Sequence, residues 1–278
     1  MKKILITGAG SYIGESFTRY INEYFPQEYQ VCTVDTMDSG WKDTDFSRFD
    51  CVFHVAGIVH RKETTENASL YYSVNRDLAA EVAGFAKNAG VQQFVFLSSM
   101  SVYGIETGTI TRSTQPKPRS NYGKSKLEAE QQLTQLESDS FTVTVLRPPM
   151  VYGKGCKGNF QSVVKLVKKL PFFPKVNNRR SMIYVDTLSA YIEHCIRQQQ
   201  GGLHLPQNPE YINTADMAAS IAQGLGKKLH LSPMLGFCVK LIIPFVKPAQ
   251  KAFGSLVYEQ EQQPVPVISN QDSVKNSV

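Results

Sequence analysis

Thr7-Gly8-Ala9-Gly10-Ser11-Tyr12-Ile13-Gly14 decides the reading of this chain. The stretch closes a short β-rich run, Lys3–Thr7, and opens an amphipathic helical one, Tyr12–Tyr24. Glycines between a strand and a helix let the backbone turn sharply and come close to a pyrophosphate. The helix start offers free N–H groups and the positive end of its dipole. Gly8, Gly10, Ser11, Tyr12, Ile13 and Gly14 are therefore expected to hold a dinucleotide. Asp35 ends the second β-rich run, 21 residues after Gly14. A carboxylate there accepts hydrogen bonds from an adenosine ribose and repels a 2′-phosphate. Asp38 adds to that charge and no cation stands nearby before Lys42, so NAD is favoured over NADP.

Working outward, strands are expected at Lys3–Thr7, Gln30–Val34, Cys51–Val55, Gln93–Leu97 and Thr142–Leu146, with helices at Tyr12–Tyr24, Ala68–Asn88 and Tyr122–Leu136. Nearly all-apolar strands alternating with helices predict a parallel sheet covered on both faces, an α/β Rossmann-like doubly wound fold. After Gly153 the texture changes. Helical runs at Gly158–Leu170, Thr187–Gln200 and Thr214–Gly224 are punctuated by Pro171, Pro174, Pro206 and Pro209. We expect a cofactor domain over 1–153, with 181–204 returning to it. Segments 154–180 and 205–258 are expected to form a small C-terminal substrate-binding cap. The polar stretch 259–278 reads as a flexible tail.

Composition excludes several classes. The 278 residues are 42% apolar and 19% charged, with a formal charge of +6. No basic arm or stripe of the kind that grips nucleic acid is visible in the sequence. Cys32, Cys51, Cys156, Cys195 and Cys238 are odd in number and far apart, so neither a disulfide framework nor a metal site can be drawn. Met1–Ile6 starts like a signal peptide, but the glycines that follow leave its apolar run too short. Met234–Val246, the longest apolar stretch, contains Lys240 and Pro244 and cannot span a bilayer. It reads as a helix packed on the core rather than a membrane-surface anchor. The expected location is the cytoplasm.

Tyr122 and Lys126 are four residues apart at a helix start and share one face. A free phenol, with a pKa of about 10, is too weak an acid to serve as a base at neutral pH. An ammonium about 4 Å away could favour phenolate by roughly 4 kcal/mol at an effective dielectric of 20, an upper figure near three pKa units. Such a pair takes a proton from a sugar hydroxyl as hydride leaves. Ser99, just past the strand ending at Leu97, lies where chemistry collects in open α/β sheets and could hold the same oxygen.

These motifs, with Ala56-Gly57, Asn75, Tyr103-Gly104 and Arg147, resemble the extended short-chain dehydrogenase/reductase superfamily over Met1 to about Tyr258. Within it, the chain is similar to nucleotide-sugar epimerases and reductases of polysaccharide biosynthesis. The resemblance implies Ser99, Tyr122 and Lys126 as the catalytic set. It also gives Tyr122 and Lys126 contacts to the cofactor, with Ala56, Gly57 and Asn75 lining its site. Asn159 and Arg180 would bind the substrate's phosphates, a role that suits a guanidinium fork. His60 and Arg61 are candidates to face the sugar. The helices Ala68–Asn88 and Tyr122–Leu136 resemble those that pair in homodimers.

Two departures stand out. Ser11 replaces the family's usual middle glycine, and Met150 replaces an Asn often used to hold substrate. Met100-Ser101 stands where family 4,6-dehydratases carry Asp-Glu, which removes the acid and base that elimination needs. The expected activity is an NAD-dependent C4 epimerase of a UDP-hexose. The alternatives are a UDP-4-keto-6-deoxy-hexose reductase using NAD(P)H and an NAD-binding sensor without turnover.

Overall fold

A computed structural model describes residues 1–59, 63–243, 245–265 and 268–278, without the side chains of Lys247 and Pro248. In chain order the elements are β1 (Lys2–Thr7), α1 (Tyr12–Tyr24), β2 (Tyr29–Val34), β3 (Cys51–His54), α2 (Ala68–Tyr72), α3 (Leu78–Asn88), β4 (Gln93–Leu97), β5 (Gly108–Ile110), α4 (Asn121–Thr134), β6 (Thr142–Leu146) and β7 (Met150–Tyr152). They continue with α5 (Asn159–Lys169), β8 (Phe172–Pro174), β9 (Met182–Tyr184), α6 (Val185–Arg197), β10 (Gly202–His204), α7 (Thr214–Gly224), β11 (His230–Ser232), α8 (Pro233–Ile242), α9 (Lys247–Phe253), β12 (Leu256–Tyr258) and α10 (Asn270–Lys275). The chain divides into two compact units, residues 1–104, 116–148 and 189–206, and residues 105–115, 149–188 and 207–278.

The first unit is built on a parallel six-stranded sheet in the order β10-β6-β4-β3-β1-β2. Its strands are continuous apolar runs because both faces are covered. On one face, Leu5, Val52, Phe94, Phe96, Val143 and Val145 pack with α3, α4 and the buried Trp41 and Phe46. On the other, Phe17 of α1 meets Phe53 edge to face at 5.3 Å. The part of α6 from Ser189 onward is tied to the sheet by polar contacts: Tyr29 Oη donates to Glu193 at 2.6 Å and Lys2 Nζ to the Ile196 carbonyl at 2.6 Å. The order reverses direction at β1, so the carboxyl ends of β1 and β3 open the crevice where ligands bind in such sheets.

Two features were not expected. β2 is an edge strand, because the segment between it and β3 forms only 3₁₀ turns, Ser39–Asp43 and Phe46–Arg48, in place of a further helix and strand. The sixth strand, β10, has only three residues and pairs with β6 from Gly202↔Thr144 to His204↔Leu146.

In the second unit, β7 pairs with β9, β8 with β11 and β5 with β12. The stretch 259–278, expected to fray, carries α10, which packs on α7. Its Val274 is buried, Ser273 Oγ lies 2.6 Å from Tyr152 Oη, and Asn208 Nδ2 donates to Tyr152 Oη and to Asn270 Oδ1. Short polar side chains that bond inward made this segment look solvated in the sequence. The apolar stretch from Met234, expected to pack on the core, instead holds α8, whose one buried residue is Gly236. Among the described residues, no helix is long and apolar enough to cross a membrane.

Candidate active site

The glycine loop follows β1 as expected. Gly8 sits at φ +113° and Gly10 at φ +71°, backbone that side-chain-bearing residues rarely adopt. A Cβ on Gly8 would lie 2.7 Å from the Ala56 amide nitrogen, so the loop lies directly against the end of β3. Ser11, the departure from the family pattern, caps α1: the Gly14 amide donates to its Oγ at 3.2 Å. A cavity of about 420 Å³ opens against Gly8, Gly10, Ser11 and Gly14 and reaches Thr33 of β2. Tyr12 and Ile13 form the first turn of α1. Asp35 is exposed just past β2, its carboxylate accepting the Met37 amide at 3.0 Å. Asp38 is engaged locally, capping the Ser39–Asp43 turn through the Gly40 amide. Positive-φ glycines, a helix N-terminus and a carboxylate beside the second strand are what a dinucleotide requires, and these residues fit one.

Beside the loop, the Val55 and Ala56 amides both donate to the Thr7 carbonyl. A Cβ on Gly57 would stand 2.9 Å from Asn75 Oδ1 and 3.3 Å from Lys126 Nζ. Asn75 is buried in a π-helical turn, Ser73–Asp77, that splits the expected single helix into α2 and α3. Its Oδ1 accepts the Ile58 amide at 2.8 Å, and its Nδ2 donates to the Ile58 carbonyl and to Ser125 Oγ. Asn75 thus ties the loop after β3 to α4. His54, buried between Phe94 and Phe96, contacts Thr7 Oγ1 at 2.8 Å through Nδ1. Burial, helped by the Lys126 charge, pushes its pKa down to about 3, so it is neutral and structural. His60 and Arg61 lie outside the described residues.

The structure brings Ser99, Tyr122 and Lys126 together. Ser99 caps the 3₁₀ turn Met100–Tyr103 that follows β4, its Oγ accepting the Ser101 amide at 3.1 Å. α4 starts hard against this turn: a Cβ on Gly123 would fall 2.7 Å from the Ser101 carbonyl. That close approach brings the Tyr122 phenol beside Ser99. One helical turn on, Lys126 Nζ donates to the Leu97 carbonyl at 2.9 Å and lies 4.5 Å from the Phe96 ring centroid.

The electrostatics differ from the sequence expectation. Burial pushes the Tyr122 phenol above its ordinary pKa, and the Ser99 side chain acts in the opposite direction; Lys126 is not among the causes. Lys126 is directed at a carbonyl and is itself brought down to about 7 by burial, with Glu130 opposing. An amine bonded to a carbonyl and brought down by burial offers the phenol less positive charge than the four-residue spacing alone suggests.

Two carboxylates absent from the sequence reading complete the surroundings. Glu63 accepts the Asn121 and Tyr122 amides at 3.0 and 3.1 Å, adding an anion to the first turn of α4. Glu130, buried on α4, accepts from Ser98 Oγ and, in a fork, from Arg147, whose Nη1 also donates to Tyr103 Oη at 2.9 Å. This network fixes the end of β4 and the turn that presents Ser99. The spacing Tyr122, Lys126, Glu130 along one helical face was the available signal for Glu130.

The expected substrate residues lie in the second unit. Asn159 is exposed at the first turn of α5, preceded by Gly158 at φ +95°. Arg180 exchanges backbone hydrogen bonds with Ile212, and its Nη1 donates to the Gly254 carbonyl at 3.0 Å.

Comparison with known proteins bears on the family and the fold. The family model described as NAD dependent epimerase/dehydratase family matches residues 4–204. A UDP-glucose 4-epimerase from Vibrio cholerae is 30% identical over 267 residues, 86% of this chain and 81% of that protein. An Escherichia coli O157:H7 protein named N-acetyl-alpha-D-glucosaminyl-diphospho-ditrans,octacis-undecaprenol 4-epimerase is 26% identical over 84% of this chain and 76% of its own. Among solved structures, UDP-glucuronic acid 4-epimerase from Bacillus cereus in complex with NAD superposes with TM-score 0.75, at 18% identity over 99% of this chain and 97% of that one. The dTDP-4-dehydrorhamnose reductase of Bacillus anthracis str. Ames, in complex with NADP, superposes with TM-score 0.73 at 19% identity, over 99% and 98%. At those identities the two structures share the fold. The family match and the Vibrio relative carry more: this chain belongs to the NAD-dependent epimerase/dehydratase family.

Proposed function

We propose that the chain is an NAD-dependent 4-epimerase of a UDP-hexose, with Ser99, Tyr122 and Lys126 as its catalytic residues. The observation that carries this reading is the placement of Tyr122 beside Ser99, with the buried Lys126 one helical turn on, at the carboxyl end of β4. The 4-epimerase names of its relatives add the substrate class. NAD, once bound, would supply an oxidised nicotinamide able to accept hydride. Gly8, Gly10, Ser11, Gly14 and Asp35 would hold its adenosine end, and Ala56, Gly57 and Asn75 would border the rest.

Tyr122 takes the proton of the sugar's C4 hydroxyl as hydride leaves C4, and a C4 carbonyl forms. Ser99 donates to that oxygen and steadies its charge. The keto sugar turns over, hydride returns to its other face, and Tyr122 gives the proton back, so no cofactor is consumed. The methionine at position 100 leaves no acid for elimination. Asn159 and Arg180 are assigned to the substrate's diphosphate by family resemblance, and the second unit is thereby the substrate unit. A cytoplasmic location and a homodimer paired through α2–α3 and α4 belong to the same proposal.

A second reading, a sugar carried on a lipid diphosphate as in the name of the E. coli relative, is favoured by the solvent-facing apolar side of α8. The test is incubation of the purified protein with UDP-glucose, UDP-N-acetylglucosamine and a UDP-4-keto-6-deoxy-sugar, with product analysis and absorbance at 340 nm. Interconversion of C4 epimers without net NADH change supports the proposal. Stoichiometric NAD(P)H consumption with the keto sugar makes the protein a reductase, and bound NAD with no turnover makes it a sensor. Tyr122→Phe is expected to abolish turnover and spare NAD binding.

A further inference from the structure

α8 is turned inside out. The one residue it buries is Gly236. A Cβ there would lie 2.1 Å from the Lys175 carbonyl oxygen, so the helix rests on the backbone beyond β8 along its glycine side. Its other side carries Met234, Phe237 and Leu241, 73%, 63% and 58% exposed and spaced i, i+3 and i+7. Phe245 follows at 86% exposed, and Leu235, Ile242 and Val246 are exposed as well. Phe172, on the strand that α8 packs against, is also open to solvent. Isolated surface apolar residues are ordinary; a continuous stripe of this size marks an interaction surface.

The charge of the segments that build this face bears on what covers it. From Met217 to Tyr258 the chain has five lysines and no Asp or Glu, and from Pro149 to Val185 it has eight Lys and Arg and again no acid. These segments supply β8, α8 and their neighbours. The second unit as a whole holds 15 Lys and Arg against 7 Asp and Glu, while the first holds 15 against 17. The cations are shared equally between the two units, and it is the shortage of acids that leaves the unit carrying the stripe with a net positive charge. A second copy applied to this surface would set one lysine-rich surround against another, whereas a sheet of anionic headgroups neutralises it. A ten-residue helix is too short to span a bilayer and suited to lying in its interface.

We propose that the apolar side of α8, continued by Phe245, inserts into the headgroup region of an anionic lipid bilayer and holds the protein on a membrane surface. The docking needs no assumption about the reaction, so it stands or falls apart from the epimerase reading.

The test is flotation of the purified full-length chain with phosphatidylglycerol/phosphatidylcholine vesicles and with phosphatidylcholine vesicles alone. The chain is expected to float with the anionic vesicles and at least about tenfold less with the neutral ones. F237D/L241D is expected to lower partition at least about tenfold with the unfolding midpoint unchanged, and M234D alone to lower it less. The proposal is overturned if the chain fails to float with anionic vesicles, or if F237D/L241D floats as well as the parent. It is equally overturned if light scattering finds a dimer that F237D/L241D converts to monomer while neither binds vesicles, because a second copy then covers the stripe.

Discussion

Replacing Glu130 with methionine should strongly destabilise the first unit. Its carboxylate and the Arg147 guanidinium are 6% and 8% exposed and face each other at 2.5 Å at the closest, with Ser98 on the same carboxylate and Tyr103 on the same guanidinium. Two ions taken out of water together balance much of their desolvation cost; removing one strands the other. Glu130→Met leaves a buried cation without its carboxylate, at a cost of about 3–5 kcal/mol. For a chain of this size that corresponds to a midpoint drop of about 6–15 °C. The double replacement E130M/R147M removes both charges and fills the space with apolar atoms, so it should cost no more than about 2 kcal/mol. Trp41, the chain's single tryptophan, is buried in the same core and reports this unit alone when its fluorescence is followed through urea. That matters because two units need not unfold in one transition. A single-variant loss below about 1 kcal/mol, or a double variant as unstable as Glu130→Met, would refute the reasoning.

Other consequences are equally direct. Gly8→Ala forces a side chain into φ +113° with its Cβ against the Ala56 nitrogen. It should cost about 1–3 kcal/mol and weaken NAD binding, read by calorimetric titration; unchanged affinity would remove the loop from the cofactor site. Lys126 is held near 7 in the folded chain against 10.5 in its ordinary state, so between those values the unfolded chain binds the extra proton. Stability of the parent relative to Lys126→Met should therefore rise with pH from about 7 to about 10.5, by up to about 1.4 kcal/mol per pH unit, measured by urea unfolding at several pH values. A flat difference would contradict the burial argument. Glu63→Ala deprives the Asn121 and Tyr122 amides of their acceptor and should cost about 1 kcal/mol in the same unfolding assay.

Much of this architecture is written locally. Strands of continuous apolar residues and the helices Tyr12–Tyr24 and Thr214–Gly224 can be placed from pattern and capping alone. So can the glycine loop, because positive φ and close approach demand residues without side chains. What depends on distant partners is not legible. Gly202–His204 becomes a strand only because β6 offers an unpaired edge. The end position of β2 follows from what the segment after it fails to build. α8 is apolar around most of its circumference, so no periodicity told which side faces out; a single glycine against Lys175 decides it. At the site, Tyr122 and Lys126 are found by spacing, but the direction of the Lys126 amine is not, since it depends on a carbonyl of β4. Glu63 caps α4 from far along the chain and carries no local mark of that role.

The central claim is that hydride leaves and returns at C4 while Tyr122 moves the proton. Its most direct test is conversion of UDP-glucose deuterated at C4, with the purified protein and NAD, followed by mass spectrometry and NMR of the product. We predict that the 4-epimer forms more slowly than from unlabelled substrate and keeps its deuterium, and that Tyr122→Phe forms none. Loss of the deuterium to solvent, or full activity in Tyr122→Phe, would contradict the account.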